Sequence, residues 1–285
     1  MLSPGVKSPA VWLEACPSHA VRFPSIASRA KHGEFSRLSI NAPCAAPGAL
    51  CYTVAVMQEA MKRVLVIGAS SGIGRALVEG LRNQGLEVVA CARRGELLAA
   101  LGGETFVLDV TAPGAVERIA QVQADTVIFC AGVGTRSRRP AWELTEPALA
   151  LNVLAFERVA QWAAESKVCK RFVAISSIAG LRGLEDTNGY SPSKAYMNAA
   201  MEGYRRRWRH GQQGCEPVLV LPGFVDTALG QGSTFWRCSP ERAAKCIIHG
   251  LERRRAVIYV TPRWRLIALL LWLLPRSLYE RIPRL

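Results

Sequence analysis

A hydrophobic strand that runs directly into a glycine-rich turn limits the possible folds of this chain more than any other feature. Residues 64–67 read Val-Leu-Val-Ile, an unbroken apolar run typical of a strand that is covered on both faces. Gly68, Gly72 and Gly74 follow, and residues 75–81 then have the apolar spacing of an amphipathic helix. This order predicts the first unit of a parallel sheet, with a turn placed to hold an anionic group.

The alternation of strands and helices continues along the chain. Further strands are predicted near residues 87–91, 105–108, 126–130, 171–175, 217–221 and 256–260. Helices are predicted near residues 113–122, 145–165, 191–210 and 240–253, the last with Ser239 as N-cap and Pro240 in the first position. The pattern predicts an α/β fold with a doubly wound parallel sheet (a Rossmann fold) in a single domain over residues 61–262. Ligands of such sheets bind outside the carboxyl ends of the strands.

The N-terminal residues 1–60 differ in composition and hydrophobic pattern from the rest of the chain. Prolines interrupt every helix that they could form, and neither helical nor strand periodicity is sustained. We expect an N-terminal extension that is disordered or not translated, with translation beginning at Met57 or Met61. The alternatives are a targeting peptide, because the segment is basic and poor in acids, and a functional tail.

Residues 263–285 are predicted to form a basic and apolar C-terminal tail helix. Residues 266–274 are apolar on every side and are flanked by Arg263, Arg265 and Arg276. Residues 264–274 would cover about 16 Å as a helix, roughly half of a hydrocarbon core, and therefore cannot span a membrane. The tail either contacts a membrane surface peripherally through residues 264–285 or is buried against the domain or a second subunit.

Charge and cysteine content exclude several classes of protein. Residues 236–285 contribute +8 of the net charge of +14, so the basic groups cluster beside an apolar tail and do not suggest a nucleic-acid partner. Nine cysteines without a Cys-x-x-Cys pair argue against a metal site or a disulfide framework and favour reduced thiols in the cytoplasm.

Each glycine of the turn has a steric reason. Gly68 permits the sharp exit from the strand, while Gly72 and Gly74 let the backbone come close to a pyrophosphate and let the helix pack on the strand. The N-terminus of the helix then offers free N–H groups to phosphates. The residues between the glycines complete the predicted cofactor-binding turn: Ser70, Ser71 and Ile73.

A tyrosine and a lysine later in the chain are candidates for proton transfer. Tyr190 and Lys194 are four residues apart, so they share one side of a helix that begins near Ser191. A free tyrosine, with a pKa of about 10, exchanges its proton poorly near neutrality, and a nearby ammonium group lowers that pKa. Ser177, 13 residues before Tyr190, can hydrogen-bond a substrate oxygen, and Ser176 is the competing residue.

The spacing Gly-x-x-x-Gly-x-Gly from Gly68, followed by Tyr190-x-x-x-Lys194, resembles the short-chain dehydrogenase/reductase family, single-domain type, over residues 61–262. The resemblance implies an NAD(P)-dependent oxidoreductase in which Tyr190 donates the proton and Lys194 also holds the nicotinamide ribose. The family's spacing favours Ser177 as the hydroxyl that positions the substrate.

The resemblance also bears on the choice of cofactor. Ala92 stands where NAD-using relatives have Asp, and Arg93 stands where NADP-using relatives have Arg. NADP(H) is therefore the expected cofactor, with NAD(H) as the second possibility, since an arginine binds the 2′-phosphate.

Further site residues are implied by the family's other motifs. Asn152 matches the asparagine that supports a water leading to the lysine and is counted with the catalytic residues. Phe129 and Cys130 replace the two asparagines of the Asn-Asn-Ala-Gly motif, a departure from the family. The remaining cofactor-binding residues are Asp109, Val110, Ala131, Gly132, Pro222, Gly223, Val225 and Thr227.

Taken together, these features predict an NADP(H)-dependent oxidoreductase that interconverts a carbonyl and an alcohol, and a homo-oligomer without a metal. Residues 228–238, which include Phe235 and Trp236, are predicted to form a loop over an apolar small-molecule substrate. Two alternatives remain. One is an epimerase or dehydratase that uses the same tyrosine and lysine. The other is a non-catalytic nucleotide-binding or membrane-associated scaffold.

Overall fold

The computed structural model describes residues 61–212, 214–230 and 235–282. The predicted extension over residues 1–60 therefore lies outside the described residues, as do positions 231–234 of the predicted substrate loop. The strands of the described part are β1 (Arg63–Ile67), β2 (Glu87–Ala92), β3 (Thr105–Val107), β4 (Thr126–Phe129), β5 (Arg171–Ile175), β6 (Glu216–Pro222) and β7 (Val257–Val260).

The strands form one parallel sheet in the order β3-β2-β1-β4-β5-β6-β7. This confirms the predicted Rossmann-type α/β fold. The helices are α1 (Gly72–Arg82), α2 (Gly95–Ala99), α3 (Ala115–Gln121), α4 (Trp142–Leu149), α5 (Phe156–Glu165), α6 (Tyr190–Arg209), α7 (Pro240–Glu252), α8 (Trp264–Leu273) and α9 (Arg276–Tyr279). β1 pairs with both β2 and β4, so successive strands are added toward one edge of the sheet up to β3 and toward the other edge from β4 onward. This reversal of strand order leaves a crevice at the carboxyl ends of the central strands.

Both faces of the sheet are covered by apolar layers. Val64 and Val66 of β1 face the layer that contains α1 and α7, while Leu65 and Ile67 face the layer that contains α3, α5, α6 and α8. Each buried aliphatic side chain of this kind stabilises the fold by about 1.5–3 kcal/mol. The unbroken apolar run of β1 is thus explained by burial on both sides.

The helix predicted over residues 145–165 is longer and is interrupted. α4 and α5 are joined by one π-helical segment, Ala150–Ala155, which contains the buried Asn152. Hydrophobic periodicity could not reveal this segment, because a π turn adds a residue without breaking the helix. The predicted N-cap is confirmed: the Ser239 hydroxyl accepts a hydrogen bond from the backbone N–H of Arg242 at 3.2 Å.

The predicted tail helix over residues 263–285 ends earlier than expected. α8 stops at Leu273, Leu274 is extended, and the short α9 follows Pro275. Proline disfavours the helical conformation of the residue before it, which explains the break. Residues 283–285 lie outside the described residues.

Within the described ranges, no helix is both long enough and apolar enough to cross a membrane.

Candidate active site

The predicted site residues come together at the carboxyl ends of the central strands. The turn after β1, the segment after β4, Ser177 after β5 and residues 222–227 at the end of β6 all border the same crevice. The first residues of α6 lie beside them and bring in Tyr190 and Lys194. The sheet topology therefore assembles groups that are up to about 160 residues apart in the sequence.

The turn after β1 is shaped to bring its backbone against an anionic group. Gly68 and Gly72 have φ angles of +93° and +56°, which residues with a Cβ rarely adopt. A Cβ on Gly68 would lie 2.5 Å from the backbone nitrogen of Ala131, and one on Gly74 would collide with the Gly68 carbonyl oxygen. The Ser71 side chain makes no capping hydrogen bond at the start of α1, so the first N–H groups are left for a ligand. The turn fits the pyrophosphate of a dinucleotide.

An arginine that the sequence analysis did not select lies on this turn. The Arg94 guanidinium donates hydrogen bonds to the hydroxyls of Ser70 and Ser71, at 2.8 and 3.0 Å from Nη2. These contacts hold a positive charge beside the end of β2, where the adenosine ribose of a dinucleotide would lie. The side chain of Ile73, by contrast, packs against the hydrophobic core.

Arg93, the residue chosen from the sequence, has a different environment. Its side chain is 77% exposed, and its Nη1 lies 3.7 Å from an Asp109 carboxylate oxygen. The Thr111 hydroxyl donates to Asp109 at 2.6 Å and is the main reason that the pKa of this carboxyl lies below its usual value. Val110 is almost fully buried in the core. Arg93 and Asp109 border the crevice, whereas Arg94 is the arginine held on the phosphate turn.

Asn152 ties the segment after β4 to α6. Its Oδ1 accepts from the Val133 N–H at 3.0 Å, and its Nδ2 lies 2.8 Å from the Val133 carbonyl and 2.9 Å from the Ser193 hydroxyl. A Cβ on Gly132 would lie 3.5 Å from both Asn152 Oδ1 and Lys194 Nζ. The side chain thus orders the turn although Phe129 and Cys130 have replaced the family's two asparagines.

Ser177, Tyr190 and Lys194 form one contiguous group. The Ser177 hydroxyl is close enough to the Tyr190 phenol to favour its charged form, which lowers the pKa of Tyr190. The Lys194 ammonium lies 5.8 Å from the centre of the Tyr190 ring and donates to the Ile175 carbonyl at 3.0 Å. The competing residue, Ser176, instead donates to the Lys194 carbonyl at 3.2 Å. α6 begins at Tyr190 itself, one residue earlier than expected.

The protonation of this group differs from the simple expectation. Burial raises the pKa of Tyr190 above its ordinary value, and the nearby Ser177 hydroxyl only partly opposes this rise. Burial also lowers the pKa of Lys194 to about 8. The pKa of Tyr190 therefore moves opposite to the predicted direction, because desolvation by burial is the largest effect on the phenol and Lys194 is not among the groups that shift it.

Cys130 is a neighbour of this group in place of an asparagine. Burial raises the pKa of its thiol to about 12, and the positive charge of Lys194 works in the opposite direction. The thiol therefore stays neutral near pH 7. Among the described residues, no group of three or more His, Cys, Asp or Glu side chains is arranged to hold a metal ion.

The segment at the end of β6 borders the crevice beside the phosphate turn. A Cβ on Gly72 would lie 2.9 Å from Thr227 Cγ2, so Thr227 lies against the phosphate turn. Pro222 is buried in β6, and Gly223 donates its N–H to the Val260 carbonyl at 2.8 Å. The side chain of Val225 is buried in the core, which leaves only its backbone for a cofactor contact.

A cluster of aromatic side chains packs against this segment. A Cβ on Gly223 would collide with the indole ring of Trp264. Trp264 in turn makes edge contacts with Phe224, Phe235 and Trp236, with ring centroids 5.6–5.9 Å apart. Phe235 and Trp236 are stacked at 4.7 Å. The tail helix thus forms part of the wall of the site.

Sequence reasoning missed three contributors to the site. Arg94 was missed in favour of Arg93, because the direction of each side chain depends on how the chain turns after β2. Ser193, three residues after Tyr190, had no motif to mark it. Position 134 must be glycine because a Cβ there would collide with the Tyr190 ring. The closeness of Gly134 to Gly132 in the sequence was the one signal that could have marked it as part of the site.

Comparisons with known proteins agree with this geometry. A family model described as short chain dehydrogenase matches residues 62–237. An uncharacterized oxidoreductase of Myxococcus xanthus is 34% identical over 194 residues, which cover 61% of this chain and 76% of the relative. A (3R)-3-hydroxyacyl-CoA dehydrogenase of Canis lupus familiaris is 34% identical over 197 residues, which cover 59% of this chain and 75% of the relative.

Solved structures share the fold. A short-chain dehydrogenase from Sphingobium yanoikuyae in complex with NADPH has a TM-score of 0.62 and 20% identity, with 78% of this chain and 96% of that chain covered. A short chain dehydrogenase/reductase from Burkholderia phymatum in complex with NAD has a TM-score of 0.63 and 18% identity, with 73% and 92% covered.

Proposed function

Because this chain belongs to the short-chain dehydrogenase/reductase family, an NAD(P)-dependent group of oxidoreductases, we propose that it interconverts an apolar ketone or aldehyde with its alcohol and prefers NADP(H). The observation that carries this proposal is the contact between Ser177 and Tyr190 with Lys194 one helical turn away, beside the phosphate turn. A nicotinamide cofactor, when bound, supplies or accepts the hydride.

The chain's own residues would handle the proton. Ser177 would hydrogen-bond the carbonyl oxygen and hold it beside the Tyr190 hydroxyl, which donates the proton during reduction. Since the pKa of Tyr190 is raised, the phenol is fully protonated at neutral pH and suits the reductive direction. Alcohol oxidation requires the phenolate and would therefore increase toward alkaline pH. Asn152 would position the turn and α6, and Lys194 would hold the nicotinamide ribose.

The cofactor preference is supported by the position of Arg94. Its guanidinium is held by Ser70 and Ser71 at the end of β2, where the 2′-phosphate distinguishes NADP(H) from NAD(H). Arg93 lies next to it and can contribute a second positive charge. A planar guanidinium and a phosphate make strong charge-assisted hydrogen bonds.

Arg94→Ala should weaken NADPH binding at least tenfold and leave NADH binding within about twofold, because a charge-assisted phosphate contact is worth about 1.5–3 kcal/mol. Arg93→Ala should have a smaller effect, since Arg93 is 77% exposed. Fluorescence titration of the full chain with both cofactors measures the four affinities. Equal affinities for NADPH and NADH in the unaltered protein would contradict the preference. If Arg93→Ala weakens NADPH binding more than Arg94→Ala does, Arg93 is the main contact of the 2′-phosphate.

An apolar substrate is supported by the walls of the crevice. Phe235 and Leu229 are 52% and 45% exposed on the segment after β6, and Phe235 packs against the rings of Trp236 and Trp264. Asp226 and Arg237 are paired with each other at 3.2 Å, so their charges are already compensated. A large apolar surface with few polar groups is typical of sites for apolar ligands.

The function is tested by a turnover screen of the full chain with NADPH and NADH. The panel contains steroid, retinoid-like and lipid ketones and aldehydes, and it includes a 3-oxoacyl thioester because one relative is named a hydroxyacyl-CoA dehydrogenase. We expect NADPH oxidation with an apolar carbonyl. Cofactor binding without turnover of any carbonyl would contradict the proposed reaction.

We also propose that the protein forms a homo-oligomer. Leu154 in the π-helical segment and Tyr196 on α6 are 56% and 40% exposed, and exposed apolar surface of this kind favours contact with another chain. Sedimentation velocity of the full chain tests this, and a single monomeric species at micromolar concentration would contradict it.

A reducing compartment such as the cytoplasm is proposed from the cysteines. Cys169 and Cys215 are both buried with their sulfur atoms 3.6 Å apart, and both are free thiols. Reduced thiols are typical of proteins that stay in the cytosol.

A further inference from the structure

The tail helix α8 has two apolar faces, and the domain covers only one of them. The inward face packs on the core and consists of Trp264, Ile267, Ala268 and Leu271. The outward face, here called the leucine face, consists of Leu266, Leu269, Leu270 and Leu273, which are 53–67% exposed. Both sets have the spacing i, i+3, i+4 and i+7, so they lie on opposite sides of the helix. An exposed apolar face of this size marks an interaction surface.

The leucine face cannot turn inward, because α8 is held in its orientation at both ends. At its start, the Trp264 ring lies directly on Gly223. At its end, the Arg182 side chain donates hydrogen bonds to the carbonyl groups of Leu271, at 2.9 Å, and of Leu274. The Tyr279 hydroxyl then donates to the Gly183 carbonyl at 2.8 Å and anchors α9. The outward direction of the leucines is thus built into the fold.

The charges around the leucine face have one predominant sign. Residues 263–282 contain four arginines and a single acid, Glu280, which is paired with Arg276 at 2.8 Å. Arg265 and Trp272 lie on the same flank of α8, and Trp272 is 76% exposed. An apolar stripe bordered by arginines and an exposed tryptophan has the composition of a helix that lies in a membrane interface.

We infer that the leucine face binds the anionic surface of a lipid bilayer. The leucines would enter the boundary between headgroups and acyl chains, while the arginines bind lipid phosphates. A second copy of this chain fits the surface less well, because it would bring the same arginines against one another in a largely apolar contact. This inference does not depend on the proposed reaction, since it concerns a surface outside the crevice.

Sedimentation with vesicles tests the inference on the full chain. The probes are vesicles of phosphatidylcholine with about one third phosphatidylserine and vesicles of phosphatidylcholine alone, at low salt. One variant combines Leu269→Ser and Leu270→Ser, and a second combines Arg265→Gln and Arg276→Gln. The matched controls are Leu97→Ser, on α2 at the opposite edge of the sheet, and Arg206→Gln with Arg209→Gln in the last turn of α6.

We expect the unaltered chain to sediment with the anionic vesicles and to be released by high salt. Each tail variant should lower the partition coefficient at least tenfold, and the controls should change it less than twofold. Circular dichroism should give the same melting temperature for both tail variants, because the altered side chains are exposed.

Two results would overturn the inference. One is that the unaltered chain stays in the supernatant with anionic vesicles at low salt. The other is that the leucine variant dissociates an oligomer without changing vesicle binding, which would make the leucine face a contact between copies.

Discussion

Replacement of Tyr190 by phenylalanine is expected to reduce turnover of a carbonyl substrate by about a hundredfold to ten-thousandfold, the range for loss of a positioned general acid. The variant removes one hydroxyl and keeps the ring, which packs against Gly134 and near the Lys194 ammonium. NADPH affinity should therefore stay within about threefold. Single-turnover kinetics and fluorescence titration of the same preparation separate the two effects.

Tyr196→Phe is the matched control, because Tyr196 lies on the same helix and is 40% exposed. It should leave turnover unchanged. Ser177→Ala should cause a smaller loss than Tyr190→Phe, since it removes the partner of the phenol and leaves the proton donor in place. Turnover of Tyr190→Phe near that of the unaltered protein would refute the proposed proton donor.

Lys194→Met is expected to lower turnover at least a hundredfold and to weaken cofactor binding, without lowering the melting temperature at pH 7. The ammonium is buried, and its pKa falls from 10.5 to about 8, which corresponds to about 3 kcal/mol of unfavourable free energy at neutral pH. Methionine removes this cost but leaves the Ile175 carbonyl without its 3.0 Å hydrogen bond, which costs about 1–3 kcal/mol. The two changes nearly offset each other in stability, whereas the charge needed for function is lost.

The pH dependence distinguishes this effect from damage to the fold. A group whose folded pKa lies below its unfolded pKa destabilises the protein at low pH, and stability recovers between the two values as pH rises. For Lys194 that interval runs from about 8 to 10.5. The free energy of unfolding of the unaltered protein should therefore rise in this interval relative to that of Lys194→Met. Lys245→Met, at an exposed position of α7, is the control. An unchanged rate, or a large fall in melting temperature, would contradict the assigned role.

Several features of the fold could be predicted from local pattern alone. The apolar run at residues 64–67 and the glycines after it predicted β1, the tight turn and α1, because a strand buried on both faces and a close backbone contact each require particular residue types. The boundaries of the helices depend on more than local pattern. The π-helical segment Ala150–Ala155 and the break at Pro275 changed the predicted helices, since average periodicity is insensitive to one inserted residue or to a short break.

The sequence by itself therefore determined the fold class, the phosphate turn and the spacing of Tyr190 and Lys194, all of which depend on local geometry that one segment of chain specifies. The tertiary structure decided which of two adjacent arginines meets the turn and which way the pKa of Tyr190 moves. It also decided which face of α8 is covered. These three outcomes depend on distant segments that fold against the site, because burial and direction are properties of the assembled surroundings and not of any one stretch of sequence.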